Sequence, residues 1–149
     1  MSALKNLLVV IAVATGKRDQ AAKNLFQVQR NLTFSQGQMN QLETYARETE
    51  TRWMVAGQAS TTPELMRHHY QFMARLQHAI GLQQGVLDQA ARHLALEEKL
   101  LLDAEIRLSG LKTALEKKRA SLALVQHRRE QKQTDEFAAS RRHYANLAF

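Results

Sequence analysis

Six histidines, His68, His69, His78, His93, His127 and His143, are the side chains in this 149-residue sequence best suited to hold a metal or carry a proton. A helical metal site needs two histidines four residues apart, with a carboxylate on the same face and a further ligand converging from elsewhere. No two of these histidines have that spacing, so they read as surface or seam side chains. Gly81 and Gly85 lack both the strand and the Gly-Lys-Ser/Thr ending of a phosphate loop. The paired acids Glu97-Glu98 and Asp135-Glu136 fit solvated faces, and with no cysteine there is no thiolate nucleophile and no disulfide framework. The sequence predicts a protein that is not an enzyme, with no catalytic residues, no metal and no cofactor.

Charge offers a second kind of chemistry. The net charge is +7, and residues 117–149 carry eight Lys/Arg against three Asp/Glu. Such an end attracts acidic partners, whether nucleic acid, anionic lipid or protein. The apolar run Leu7–Ala14 after Lys5 imitates a secretory signal but is far shorter than the roughly 20 residues of a membrane span. Leu4, Leu7, Ile11 and Ala14 also fall on a heptad line, so the run is predicted to be part of a helix.

The elements that position these residues follow from spacing. In the second half of the chain, Met66, His69, Met73, Leu76, Ile80, Gln83, Leu87, Ala90, Leu94, Glu97, Leu101, Ala104, Leu108, Leu111, Leu115, Lys118, Leu122 and Val125 alternate by three and four, and fourteen of the eighteen are apolar. Spacing that averages 3.5 stays on one seam only when the helix supercoils against a partner. The first half has its own line, Leu4, Leu7, Ile11, Ala14, Arg18, Ala21, Leu25, Val28, Leu32, Ser35, Met39, Leu42, Ala46, Thr49 and Trp53. Between the two lies the one strong interruption, Gly57 to Glu64, where a glycine can end a helix and Thr62-Pro63 supplies an N-cap and a first-turn proline. The expected fold is all-α, a long two-helix antiparallel coiled-coil hairpin with an overhanging C-terminal helix end. Residues 1–149 form a single hairpin with helix one at about 3–54, a turn at about 55–63 and helix two at about 63–147, unpaired beyond about 119.

A turn centred between Ala59 and Ser60 makes facing residue numbers add to about 119, and the two lines obey this throughout. Trp53 is then expected against Met66, Leu42 against Leu76, Leu25 against Leu94 and Leu4 against Leu115. The polar seam residues coincide too, with Thr49 opposite His69, Ser35 opposite Gln83, and Arg18 one layer from Glu97. Gly37 falls level with Gly81, which predicts a thin, bendable waist. Beyond Leu115 the line continues through Leu122 and Val125 without an intramolecular partner, flanked by Arg119, Arg128, Arg129 and Lys132. An apolar stripe left in water predicts another protein.

The ending Gln131-Lys132-Gln133-Thr134-Asp135-Glu136-Phe137-Ala138 resembles the QKxxDEFA signature of the FliJ family of flagellar type III export proteins. The resemblance extends to Tyr70-Gln71-Phe72 with Leu76 and Ala79-Ile80, to the length and to the hairpin architecture. It implies a stalk-like cytoplasmic adaptor in bacteria that links the export ATPase ring to the cytoplasmic region of the membrane export gate and cycles export chaperones. Membrane association would then arise only through the export apparatus, at the cytoplasmic side. The family's gate-binding surface maps onto Gln38, Leu42, Tyr45, Phe72, Leu76 and Ala79, with Thr49 where a tyrosine can continue the first row and Gln83 where a histidine can continue the second. Leu42 and Leu76 also lie on the seam; Tyr45 and Phe72 lie off it. The overhang, with Leu122, Val125, Arg128 and Arg129 and the N-terminal turns beside it, is expected to face the ATPase.

Two other readings remain at this level. A basic coiled-coil nucleic-acid-binding protein would use the 117–142 cluster, although Glu130, Asp135 and Glu136 interrupt it and no nucleic acid is expected as partner. A stalk protein of a virulence-type secretion system shares the architecture, and the DEFA ending disfavours it.

Overall fold

A computed structural model of the chain describes residues 2–57 and 61–147. It contains two helices, α1 (Ser2–Gly57) and α2 (Pro63–Leu147), packed against each other as a hairpin, with no strand among the described residues. The predicted turn centre, between Ala59 and Ser60, lies outside the described residues.

The start of α2 is built as its residue types dictate. Pro63 occupies the first helical position, where its missing N–H costs nothing. The Thr62 hydroxyl accepts the Leu65 N–H at 3.3 Å, and the Thr62 carbonyl accepts the Met66 N–H at 3.1 Å. Gly57 ends α1 three residues beyond the expected boundary, and not by the left-handed cap common for glycine, since no glycine has positive φ. Instead the Thr61 hydroxyl donates to the Gly57 carbonyl at 2.7 Å, satisfying one of the acceptors that a helix end leaves open.

Each residue of the α1 heptad line, from Leu4 to Trp53, is buried or half-buried. The α2 line is likewise covered from His69 to Leu115, whereas Met66, Lys118, Leu122 and Val125 are exposed. The chain divides into two compact units, one formed by residues 19–103 and the other by residues 1–18 with 104–149.

In the 19–103 unit, Val28, Met39, Ala46 and Leu76 form the buried core and the remaining seam leucines are half-buried. Gln83 meets Ser35, His69 meets Glu50 and Phe72 meets Tyr45 at the levels that the antiparallel register predicts. The expected waist does not form. Gly37 and Gly81 sit on exposed faces within unbroken helix, and a methyl group added at either would meet nothing within 4 Å. The two glycines are level along the helices but point away from the seam. No close approach of backbones requires them.

In the unit of residues 1–18 and 104–149, Ala14, Leu108 and Leu115 are buried and Leu4, Leu7, Ile11, Ala104 and Leu111 half-buried. A shallow polar cleft of about 340 Å³ beside this seam is lined by Arg18, Glu105, Leu108, Ser109, Lys112, Thr113 and Glu116. From Glu116 to Leu147 every residue is exposed. This end of α2 keeps its helix through local pairs such as Gln126 to Glu130 (3.1 Å) and the Thr134 hydroxyl to the Glu130 carbonyl (2.9 Å).

Glu97 interrupts the seam of the 19–103 unit. Its side chain is only 13% exposed, its Oε1 lies 3.3 Å from His93 Nε2 one turn earlier, and its buried Oε2 has no hydrogen-bond partner. Leaving a carboxylate oxygen dry and unpaired costs on the order of 1–3 kcal/mol. Glu97→Leu, which joins Leu94 to Leu101 in one apolar line, is therefore expected to raise stability by roughly 1–3 kcal/mol. Thermal unfolding followed by circular dichroism would read this as a higher Tm, and an unchanged or lower Tm would show that the carboxylate is satisfied.

Candidate partner-binding surfaces

Among the described residues the clefts along the two helices are open and shallow, so the outer faces are the surfaces available to a partner. Among the described residues no three His, Asp or Glu side chains are grouped to hold a metal ion.

The first surface lies in the 19–103 unit. Tyr45 of α1 and Phe72 of α2 meet edge to face, with ring centroids 5.9 Å apart and planes at 82°, the arrangement that aromatic quadrupoles favour. Neither ring is on the seam, and both remain open, Tyr45 48% and Phe72 37% exposed. Beside them a cleft of about 490 Å³ is lined by Gln38, Gln41, Leu42, Tyr45 and Gln83. The Gln83 amide crosses the interface to donate to the Ser35 carbonyl at 2.9 Å and lies 3.4 Å from Gln38 Oε1. The expected pairing of Ser35 with Gln83 is thus made through the serine backbone carbonyl, which the longer glutamine side chain reaches. This contact holds the turn of α1 that carries Gln38.

The six residues mapped onto this surface are not equally accessible. Gln38 is exposed, Leu42 and Ala79 are half-buried, and Leu76 is buried at 8% exposure. Leu76 belongs to the core that sets the spacing of the helices and cannot reach a partner unless they part. Gln41, absent from the sequence-derived set, lines the cleft between Gln38 and Tyr45. Its position one turn from both was the signal available.

At the hairpin end of the same unit stands Trp53, expected against Met66. It stacks flat on His69, with centroids 4.2 Å apart and planes at 5°, while Met66 is 39% exposed. His69 Nε2 lies 3.6 Å from the Glu50 carboxylate, and the expected hydrogen bond from Thr49 to His69 is not among those formed by the described residues. Thr49 instead lines a cleft with Tyr45, Arg52, Trp53, Ala56 and His69.

The second surface lies in the other unit, on the exposed end of α2. Leu122 is 39%, Leu124 50% and Val125 41% exposed, and Arg128 and Arg129 follow one turn later, also exposed. The signature residues Gln131, Lys132, Asp135, Glu136, Phe137 and Ala138 are all on the surface, with the Arg141 guanidinium 5.4 Å above the Phe137 ring. These residues share one helix and form no enclosed site. Their common property is that α1 does not cover them.

Fold and surfaces together define a class, the two-helix coiled-coil proteins that work through their outer faces. Residues 4–146 match the sequence profile described as Flagellar FliJ protein. The match covers nearly the whole chain, and the chain belongs to the FliJ family, non-catalytic components of the flagellar export apparatus. No individually curated protein matches it.

The Trp53–His69 stack closes the seam where α1 ends, and Trp53→Ala is expected to cost about 2 kcal/mol by removing a half-buried aromatic and its stacking partner. Chemical denaturation should show this as a lower midpoint with unchanged slope. Phe34→Ala, at a side chain 68% exposed, should change stability by less than about 0.5 kcal/mol.

Proposed function

We propose that this chain is a stalk-like adaptor of the flagellar export apparatus, joining the export ATPase ring to the cytoplasmic region of the membrane export gate and cycling export chaperones. The gate-facing surface is the open Tyr45–Phe72 pair with Gln38, Leu42 and Ala79 around it; Leu76 supports it from beneath. The ATPase-facing surface is the uncovered stripe of Leu122 and Val125 with Arg128 and Arg129, as part of the basic C-terminal segment. The observation that carries this reading is that an apolar seam continues past the end of its intramolecular partner on a chain of this family. Among the described residues no helix is long and apolar enough to cross a membrane. In this reading the chain operates on the cytoplasmic side and meets the membrane through the gate.

Tyr45→Ala combined with Phe72→Ala is expected to weaken binding to the isolated gate domain by on the order of 2 kcal/mol, about thirtyfold, since aromatic anchors dominate interface energetics. Its effect on unfolding should be no more than the ring pair itself, about 1 kcal/mol. Gate affinity that survives the double change, measured by titration calorimetry, would remove this surface from the proposal.

Leu122→Asp with Val125→Asp should abolish ATPase binding in a pull-down while leaving gate binding intact, because burying the two side chains is worth roughly 3–5 kcal/mol before ordering costs. A nucleic-acid function predicts the reverse, with Arg128→Ala and Arg129→Ala reducing a strongly salt-dependent affinity for duplex DNA and the apolar changes mattering little. Running both sets with ATPase and with DNA across a salt series separates the two.

A further inference from the structure

The apolar run near the start of α1 is larger than the seam uses. Leu4, Leu7, Ile11 and Ala14 face α2 and are buried or half-buried. On the opposite side of the same turns stand Lys5, Val9, Val13 and Lys17, each four residues from the next and therefore in one row along the helix. Val9 is 62% and Val13 54% exposed, and Leu8 at 41% and Val10 at 39% flank them. The hairpin leaves this second apolar face in water; it lies on the N-terminal turns expected beside the ATPase, but none of the individual residues named for the gate or the ATPase belongs to it.

Charge and chemistry narrow what covers it. Residues 1–18 hold three Lys/Arg and no Asp or Glu. The unit they belong to, residues 1–18 with 104–149, carries thirteen Lys/Arg against five Asp/Glu, while residues 19–103 carry eight against nine. The net positive charge of the protein is confined to the unit that bears the face. A second copy of the chain is a poor occupant, because pairing two such faces would bring like charges together. Four aliphatic side chains also cover far less than the roughly 1,200 Å² of a stable interface. The row offers no Trp, Tyr or Arg anchor and no directional hydrogen-bonding group apart from its lysines, so it lacks the groups that give protein interfaces their specificity. A fluid apolar layer under a negatively charged surface asks for neither.

We propose that the outer face of α1 around Val9 and Val13 binds the surface of an anionic phospholipid bilayer. The two valines with Leu8 and Val10 enter the boundary between headgroups and acyl chains. Lys5 one turn before and Lys17 one turn after lay their aliphatic stems along the helix and bring their ammonium groups to lipid phosphates. The helix lies on the bilayer and does not cross it. This contact is direct, in addition to any made through the export gate.

The test is co-sedimentation of the full chain with vesicles of phosphatidylcholine alone and of phosphatidylcholine with about 30% phosphatidylglycerol, in about 0.1 M salt. Binding is expected to the anionic vesicles and not to the neutral ones. Val9→Ser with Val13→Ser should lower partitioning at least tenfold with helicity unchanged, Lys5→Glu with Lys17→Glu should do the same, and Leu122→Asp with Val125→Asp should leave it intact. Absence of sedimentation would overturn the proposal. So would anionic binding that survives the Val9→Ser, Val13→Ser change, which is adsorption by the remaining basic residues. A concentration-dependent dimer abolished by that change would assign the face to a second copy. Loss of ATPase or gate binding with unchanged lipid binding would assign it to a protein partner.

Discussion

Every feature of this molecule depends on the fact that each helix has only the other to pack against. A seam residue in a two-helix layer touches one facing helix and is then met by water on both flanks. The core is accordingly thin, with no large side chain fully buried among the described residues. Stability must come from many small contributions repeated along the seam, so the heptad line has to be kept almost without lapse. At two of its lapses the polar side chain is either held by a specific bond, as at Gln83, or left with an unpaired buried oxygen, as at Glu97.

The same constraint explains why so much of the fold was legible in the sequence. A seam of period 3.5 has only one way to face its partner, and Leu4 to Trp53 of α1 all lie where that period puts them. The antiparallel level of Ser35 with Gln83 followed from matching two lists of residues, with no knowledge of side-chain conformation. What escaped were choices made by side-chain shape. The flat stack of Trp53 on His69 and the reach of the Gln83 amide to the Ser35 carbonyl are set by side-chain conformation, which spacing does not encode. Level along the helix is one coordinate and direction around it is another. Gly37 and Gly81 match in the first and differ from the seam in the second, which is why the expected waist is absent.

The candidate surfaces were legible to the extent that they lie off the seam. Tyr45 and Phe72 were separable from Leu42 and Leu76 by heptad position alone, and their exposures follow that division. The apolar face around Val9 and Val13 was hidden for the opposite reason. In a run where every residue from Leu7 to Ala14 is apolar, the register carried from later turns picks out the seam, but no polar residue marks the opposite side as one that faces water.

The stretch from Glu116 to Leu147 has a consequence of its own. Its helix is held by backbone bonds and a handful of local side-chain pairs, without tertiary packing from α1. Isolated helices of this kind exchange between wound and unwound turns on the submicrosecond scale, and their helical population responds to temperature, salt and small ligands. Such a segment is a thermodynamic rheostat. The fraction of time it spends wound sets the conformational entropy surrendered on docking, so single substitutions at exposed positions that touch no partner would tune its affinity continuously by altering helix propensity alone.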